Sequence, residues 1–268
     1  MAKDSIEGFT RDFDGREAPA IAVFGAEGSG KSRFCATAGV YAKEHGQVPG
    51  FLVCDRKTRL TVRQICEELG LDLPYINSDD FISQKEAMEV AKLDRESDKD
   101  NDKIRKIYST VCNKLVEYAM RLAARPEIEP IVIETGTQVW DWISYAHFGR
   151  KQGVGKSRVW GPPKQDWTDL MDALSHKTVL VTLWERDAYR GDERAGYTKP
   201  DGPPHIGYTV TSAVRLNKAD KVQKGADYTS RFSLDVFQSQ DNVGLEGAAG
   251  ILTGADITYE NLMNLLRP

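Results

Sequence analysis

"FGAEGSGKSRF", residues 24–34, decides the fold. Gly25, Gly28, Gly30, Lys31 and Ser32 fit the G-x-x-x-x-G-K-[ST] pattern, and the flanking sequence fits it too. "PAIAVFG" (19–25) is a short apolar, β-rich run ending in glycine, as a buried parallel strand does. "KSRFCATAGVYAKEHG" (31–46) follows as a helix with Gly46 as its stop. Strand, glycine turn and helix together form a phosphate-binding loop. The glycines let backbone N–H groups turn inward around phosphate oxygens, and the helix N-terminus adds partial positive charge. The candidate nucleotide-binding residues are therefore Gly25, Ala26, Glu27, Gly28, Ser29, Gly30, Lys31, Ser32 and Arg33. Within this set Lys31 supplies a point charge for β- and γ-phosphates, and the Ser32 hydroxyl is a ligand for Mg²⁺.

Two other strings imitate nucleotide motifs. "GVGKS" (153–157) lacks the required first glycine, since position 150 is Arg150, and a Trp-rich helix rather than a strand precedes it. "NKAD" (217–220) has the form of a guanine-reading motif, but no D-x-x-G switch lies between Ser32 and Asn217, and the strand before Asn217 reads as peripheral. ATP is the expected nucleotide.

Working outward, "GFLVCD" (50–55) is a second strand, completing a βαβ unit whose crossover is right-handed. Asp55 at its end is a candidate to polarise the attacking water, because strand ends beside the phosphate loop face the ligand crevice. "PIVIET" (130–135) is a third strand, and Glu134 is the candidate acid for Mg²⁺, with Asp the usual residue there. A helix, "TQVWDWISYAHFG", and a fourth strand, "KTVLVTLWE" (177–185), follow. Residues 83–125 form a helical insertion around "KLDRESDKDNDKIRK", read as a solvated helix pair with an exposed joint. Loops are expected at about 149–166 and 186–208, with "TVTSAVRLN" and "SRFSLDVF" as β segments and "TYENLMNLLRP" as a closing helix. The division is a tail over 1–18 and one domain over 19–268.

Composition narrows the function class. The 268 residues carry 36 Lys+Arg against 40 Asp+Glu, a net charge of −4, so any nucleic-acid contact must come from local patches. No apolar run approaches the roughly 20 residues needed to cross a bilayer, so no membrane partner is expected. The first fifteen residues have no apolar stretch of the kind a signal peptide needs, and the four cysteines have no ligand spacing. The four histidines are isolated, with no pair at metal-ligand spacing, so no zinc site is expected. A reduced, cytoplasmic protein follows as an expectation.

Two basic clusters stand out. Arg150, Lys151, Lys156, Arg158 and Lys164 run without an intervening acid, with Trp160 inside the cluster and Trp167 just after it. Cations along a backbone and an aromatic face for bases are the elements of single-strand binding, against the alternative of a solvated loop. The excursion after Glu185 is charge-balanced and suits either a second DNA loop or a subunit contact. Farther on, Arg215, Lys218, Lys221, Lys224 and Arg231 are candidates for a finger supplied in trans by a neighbouring subunit.

"GAEGSGKS" (25–32), "PIVIETGTQVW" (130–140), "VWGPPKQDWTDLMDAL" (159–174), "TVLVTLWERD" (178–187) and "RLNKADKV" (215–222) resemble the bacteriophage-encoded RecA-like P-loop NTPases. This is the AAA-domain group of phage nucleotide-binding proteins, some associated with single-strand annealing and recombination. The resemblance spans about residues 19–225. It implies a RecA-like core with a mostly parallel sheet flanked by helices and a C-terminal β-rich extension. It also implies ATP and Mg²⁺ at Lys31 and Ser32, assembly into a ring or filament, and residence in the host cytoplasm. The chain departs from the group at Glu134, where Asp is expected, and at Trp184 and Glu185, where a polar sensor and a charged residue are usual.

Three functions compete on these residues: an ATP-dependent DNA recombination or annealing protein, a nucleotide-gated scaffold without DNA contact, and a small-molecule kinase. The kinase lacks an Arg-rich lid and an acceptor-binding acid at matching spacing.

Overall fold

The structure, a computed structural model, describes residues 18–71, 75–93, 98–149, 160–190, 193–219, 231–240 and 242–266. Strand β1 (Ala20–Gly25) leads through the phosphate loop into helix α1 (Lys31–Glu44) and returns as β2 (Val48–Val53). Then come α2 (Thr58–Glu68), β3 (Tyr75–Asn77), α3 (Ser78–Phe81), α4 (Gln84–Lys92) and the long α5 (Asp98–Ala123). The middle of the chain holds β4 (Ile128–Glu134), α6 (Gly136–Phe148), α7 (Gly161–Ala173), β5 (Val179–Arg190) and β6 (Glu193–Asp201). It closes with α8 (Ile206–Thr209), β7 (Ser212–Lys218), β8 (Phe232–Ser239), β9 (Leu252–Thr253) and α9 (Tyr259–Leu266).

One mixed sheet runs β3-β2-β4-β5-β1-β7-β8-β9, with β6 paired to β5 off this path. The six strands from β3 to β7 are mutually parallel; β8, β9 and β6 are antiparallel to their neighbours. All six parallel strands therefore present their carboxyl ends at one edge of the sheet, where the phosphate loop lies. Helices cover both faces, which explains why β1, β2 and β4 are near-continuous apolar runs rather than alternating ones. On one face Ile21 and Val23 pack with Phe34, Cys35 and Ala38 of α1, Val62 of α2 and Leu262 of α9. On the other, Ala22 and Phe24 pack with α5, α6 and α7 through residues such as Leu115, Trp142 and Trp167.

Three expectations are revised. Helix α5 does turn its charges outward, but Ile104, Val111, Leu115 and Ala119 are buried at helical spacing. It is a layer of the domain, and the solvated part is confined to its outer side. The Gly/Pro-rich stretch 186–208 is mainly a β-hairpin, paired from Trp184↔Asp201 to Arg190↔Glu193 with a register shift between Asp187 and Tyr189. Pro200 fits a strand because β6 pairs only with β5 and needs no second ladder. The strand before "NKAD" is central: β7 pairs in parallel with β1, from Ile21↔Ser212 to Phe24↔Arg215.

Among the described residues, no helix is long and apolar enough to cross a membrane. Cys35, Cys54 and Cys66 are buried free thiols, and burial pushes each of them up.

Candidate functional site

The turn after β1 is built from glycine where no other residue fits. A Cβ on Gly25 would overlap the carbonyl oxygen of Leu216 on the adjacent β7. Gly28 and Gly30 hold left-handed φ values of 72° and 93°. Gly30 is the N-cap of α1, and intrahelical bonding begins with Phe34 N–H to Gly30 O at 2.9 Å. The backbone amides of the first helical turn thus point at the loop's concavity. Lys31 is 8% exposed, and its ammonium donates to Gly25 O and Ala26 O, both at 2.8 Å. Burial pulls this lysine below its ordinary pKa, and the carboxylates of Glu134 and Glu185 work against that pull. Arg33, by contrast, faces away and pairs with Glu68 of α2 at 2.9 Å on the surface.

Glu134 ends β4, two strands from β1. The Ser32 hydroxyl donates to its Oε1 at 3.0 Å. With the carboxyl 1% exposed, burial raises its pKa to about 7. The Thr182 and Ser32 hydroxyls and the Lys31 ammonium oppose that rise, and Asp55 adds to it. The side-chain oxygens Glu134 Oε2, Thr182 Oγ1 and Ser29 Oγ are all buried without a hydrogen-bond partner. The Thr182 hydroxyl lies beside the carboxylate but outside hydrogen-bonding geometry. Buried polar groups are almost always satisfied, so these three oxygens mark polar positions that the fold itself leaves open. Asp55 stands beside Glu134 and is also buried; its Oδ1 accepts Lys57 N–H at 2.9 Å, which orders the turn after β2. The peptide joining Glu134 to Thr135 is cis.

The middle of β5 runs between β4 and β1. Trp184 N–H donates to Thr137 Oγ1 at 2.9 Å, and the Thr137 hydroxyl in turn donates to Asp201 O. Glu185 Oε2 accepts from Arg215 Nε at 3.1 Å and from Thr198 Oγ1 of the hairpin at 3.0 Å. Neither Thr182 nor Thr198 is visible as a site residue in the sequence. The available signal for Thr182 is a hydroxyl in the apolar run "TVLVTLW".

The structure thus gathers Gly25 to Ser32, Asp55 and Glu134 in one crevice. Elsewhere the expected sites scatter. Arg150, Lys151, Lys156, Arg158, Lys221 and Lys224 lie outside the described residues, as do the "GVGKS" echo and the tail over 1–17. Lys164 is half-buried on α7 rather than in a loop, beside His205. Trp160 caps α7 and stacks on Trp140 at 5.6 Å between ring centroids, with its edge contact to Phe148 at 5.2 Å. Trp167 is fully buried and donates to Thr209 Oγ1 at 3.0 Å, so it offers no face to a base. Both indoles sit where they do because α7 packs onto α6. Asn217 is committed to Asp235, its Nδ2 donating to Oδ2 at 2.6 Å. Arg231 donates to Ala219 O through both Nε and Nη2, and Arg215 to Glu185. Lys218 comes to the phosphate loop of its own chain: a Cβ on Gly28 would stand 3.3 Å from its Nζ.

No protein-family model matches this chain, and no curated protein matches it in sequence.

Proposed function

We propose that this chain is an ATP- and Mg²⁺-dependent P-loop NTPase with a RecA-like core, acting on single-stranded DNA in recombination, annealing or replication as a homo-oligomer. The observation that carries the reading is the approach of Ser32 to Glu134, with Lys31 beside them and three buried oxygens left unpartnered. Among the described residues no cluster of His, Cys, Asp and Glu could hold a metal by itself. That suits Mg²⁺, which keeps several waters and takes phosphate oxygens as ligands, with Ser32 directly and Glu134 through its water shell. When bound, the ion would neutralise charge developing on the transferred phosphoryl group. Lys31, released from Gly25 O and Ala26 O, would hold the β- and γ-phosphates, and Asp55 would orient the attacking water. The hairpin of β5 and β6 grows from the same edge of the sheet as the phosphate loop and is tied to β7 through Glu185 and Arg215. This supports a device in which nucleotide state alters a nucleic-acid surface.

A second reading, a nucleotide-gated assembly scaffold with slow or no hydrolysis, is favoured by one observation. Glu134 is buried with Oε2 unpartnered, and that burial raises its pKa to about 7, so the fold disfavours the charged form a metal needs. The steady-state ATPase rate with and without single-stranded DNA, beside Lys31→Ala, separates the two. DNA stimulation lost in the variant supports the DNA-acting NTPase. A wild-type rate equal to the variant's, with nucleotide still bound, supports the scaffold.

A further inference from the structure

Strand β7 outruns its pairing with β1. The last matched pair is Phe24↔Arg215, and Leu216, Asn217 and Lys218 continue alongside the turn that carries the phosphate loop. Side chains alternate along a strand, so these three residues have fixed destinations. Leu216 is buried on the α1 face, and its carbonyl oxygen abuts Gly25. Asn217 points the other way and bonds Asp235. Lys218 returns to the α1 face one step farther along, which brings its ammonium against Gly28. The strand does not end free there, since β8 pairs with it through Asn217↔Ser233 and Lys218↔Phe232. The cation is therefore held on a paired strand, the kind of support that keeps a binding group in register.

We propose that Lys218 is a phosphate-binding residue of its own chain's nucleotide site, contacting the di- or triphosphate from the side opposite Lys31; the inference rests on the nucleotide-binding reading above. Gly28 has to be glycine because of its backbone, whose φ of 72° is left-handed, and the Lys218 ammonium approaches the same spot. The loop's inward N–H groups and Lys31 cover one side of a phosphate chain, and Lys218 closes the other with a charge-assisted contact. On this account the lysine of "NKAD" serves phosphate, while the asparagine serves the fold. The placement is in cis: the ammonium lies against Gly28 of its own chain.

The test is fluorescent ATP and ADP binding to wild type, Lys218→Ala, Lys218→Arg and Lys31→Ala, followed by mixing. The expected result is about tenfold weaker binding of both nucleotides by Lys218→Ala, the loss of one hydrogen bond to a charged group. Lys218→Arg, which keeps the charge, should retain most of the affinity. Lys218 is exposed at a strand end, so thermal melting should match wild type and separate lost binding from lost folding. Next, Lys218→Ala is titrated with excess Lys31→Ala, which cannot bind nucleotide itself but carries an intact Lys218. No recovery of affinity is expected. Recovery would show a contact made across subunits and overturn the proposal. Equal affinity of Lys218→Ala and wild type would also overturn it while leaving the nucleotide-binding reading intact. Absence of nucleotide binding by wild type would remove both.

Discussion

The Ser32 hydroxyl and Glu134 Oε1 meet at 3.0 Å although 102 positions separate them in the chain. Sheet order makes this contact: α1 begins at the end of β1, and β4 ends two strands away at the same edge. The contact also leaves the second carboxylate oxygen buried and unpartnered, so the charge on Glu134 is poorly solvated.

A pH dependence follows from that burial. In the unfolded chain Glu134 releases its proton near 4.5; in the fold it does so near 7. Between those values the native state holds a proton the unfolded state has lost, so stability falls as pH rises through this window. Glu134→Gln removes this contribution. Relative to wild type, the variant should gain on the order of 2–3 kcal/mol at pH 8 and nothing near pH 4. Urea denaturation at the two pH values measures it. Parallel pH profiles for the two proteins would mean that the carboxylate is solvated after all. The same variant should lose Mg²⁺-dependent enhancement of nucleotide binding, which in wild type grows as pH rises through 7.

Lys31 offers a separation of function from stability. Its ammonium is buried and donates to the carbonyls of Gly25 and Ala26. Burying a charge costs free energy that a methionine of similar length does not incur. Lys31→Met should therefore melt within a few degrees of wild type, or above it, while nucleotide affinity drops at least about a hundredfold, as loss of a buried charged contact implies. A variant that fails to fold would make Lys31 a structural strut for the loop.

Much of this site can be read from sequence because its elements are local. The glycines of 25–30, the apolar strand before them and the helix after them carry their own backbone requirements. Glu134 was equally legible as the polar end of an apolar strand. What lies across the sheet was not. Thr182 is silent because a hydroxyl in a β-rich run is ordinary, and its importance depends on β5 lying between β1 and β4. The hairpin was hidden by Gly196 and Pro200, whose turn-forming chemistry outweighs the strand pattern unless the segment is known to be an edge. Lys218 was legible as a cation, but only the pairing of β7 with β1 brings it to Gly28.

The asparagine of "NKAD" gives a discriminating prediction. Asn217 Nδ2 bonds Asp235 Oδ2, and Asp235 Oδ1 accepts Gly250 N–H at 2.7 Å, so Asn217 ties β7 to the turn before β9. Asn217→Ala should lower stability by about 1–3 kcal/mol, the cost of breaking a hydrogen bond to a charged group. The ratio of ATP to GTP affinity should stay constant, because the side chain points to Asp235 and away from the α1 face that carries Leu216 and Lys218. A changed ratio, with stability held, would restore the guanine-reading interpretation.

Trp160 tests the boundary between fold and nucleic-acid surface. Its ring stacks on Trp140 and meets the edge of Phe148, which uses one indole face to fasten the start of α7 to α6. Aromatic pairs of this kind contribute about 0.5–1.5 kcal/mol beyond their buried area. Trp160→Ala should thus destabilise by about 1–3 kcal/mol, less than the roughly 3–5 kcal/mol for a fully buried large aromatic because Trp160 is half-buried, and should do so without any DNA present. Trp160→Phe should recover most of that loss. If Trp160 also served as a platform for bases, the phenylalanine variant would bind single-stranded DNA almost as well as wild type, since stacking tolerates either ring. Fluorescence anisotropy on a labelled oligonucleotide, read beside the melting curves, distinguishes the cases. A fully stable alanine variant with weakened DNA binding would make Trp160 a surface residue and its contact with Trp140 incidental.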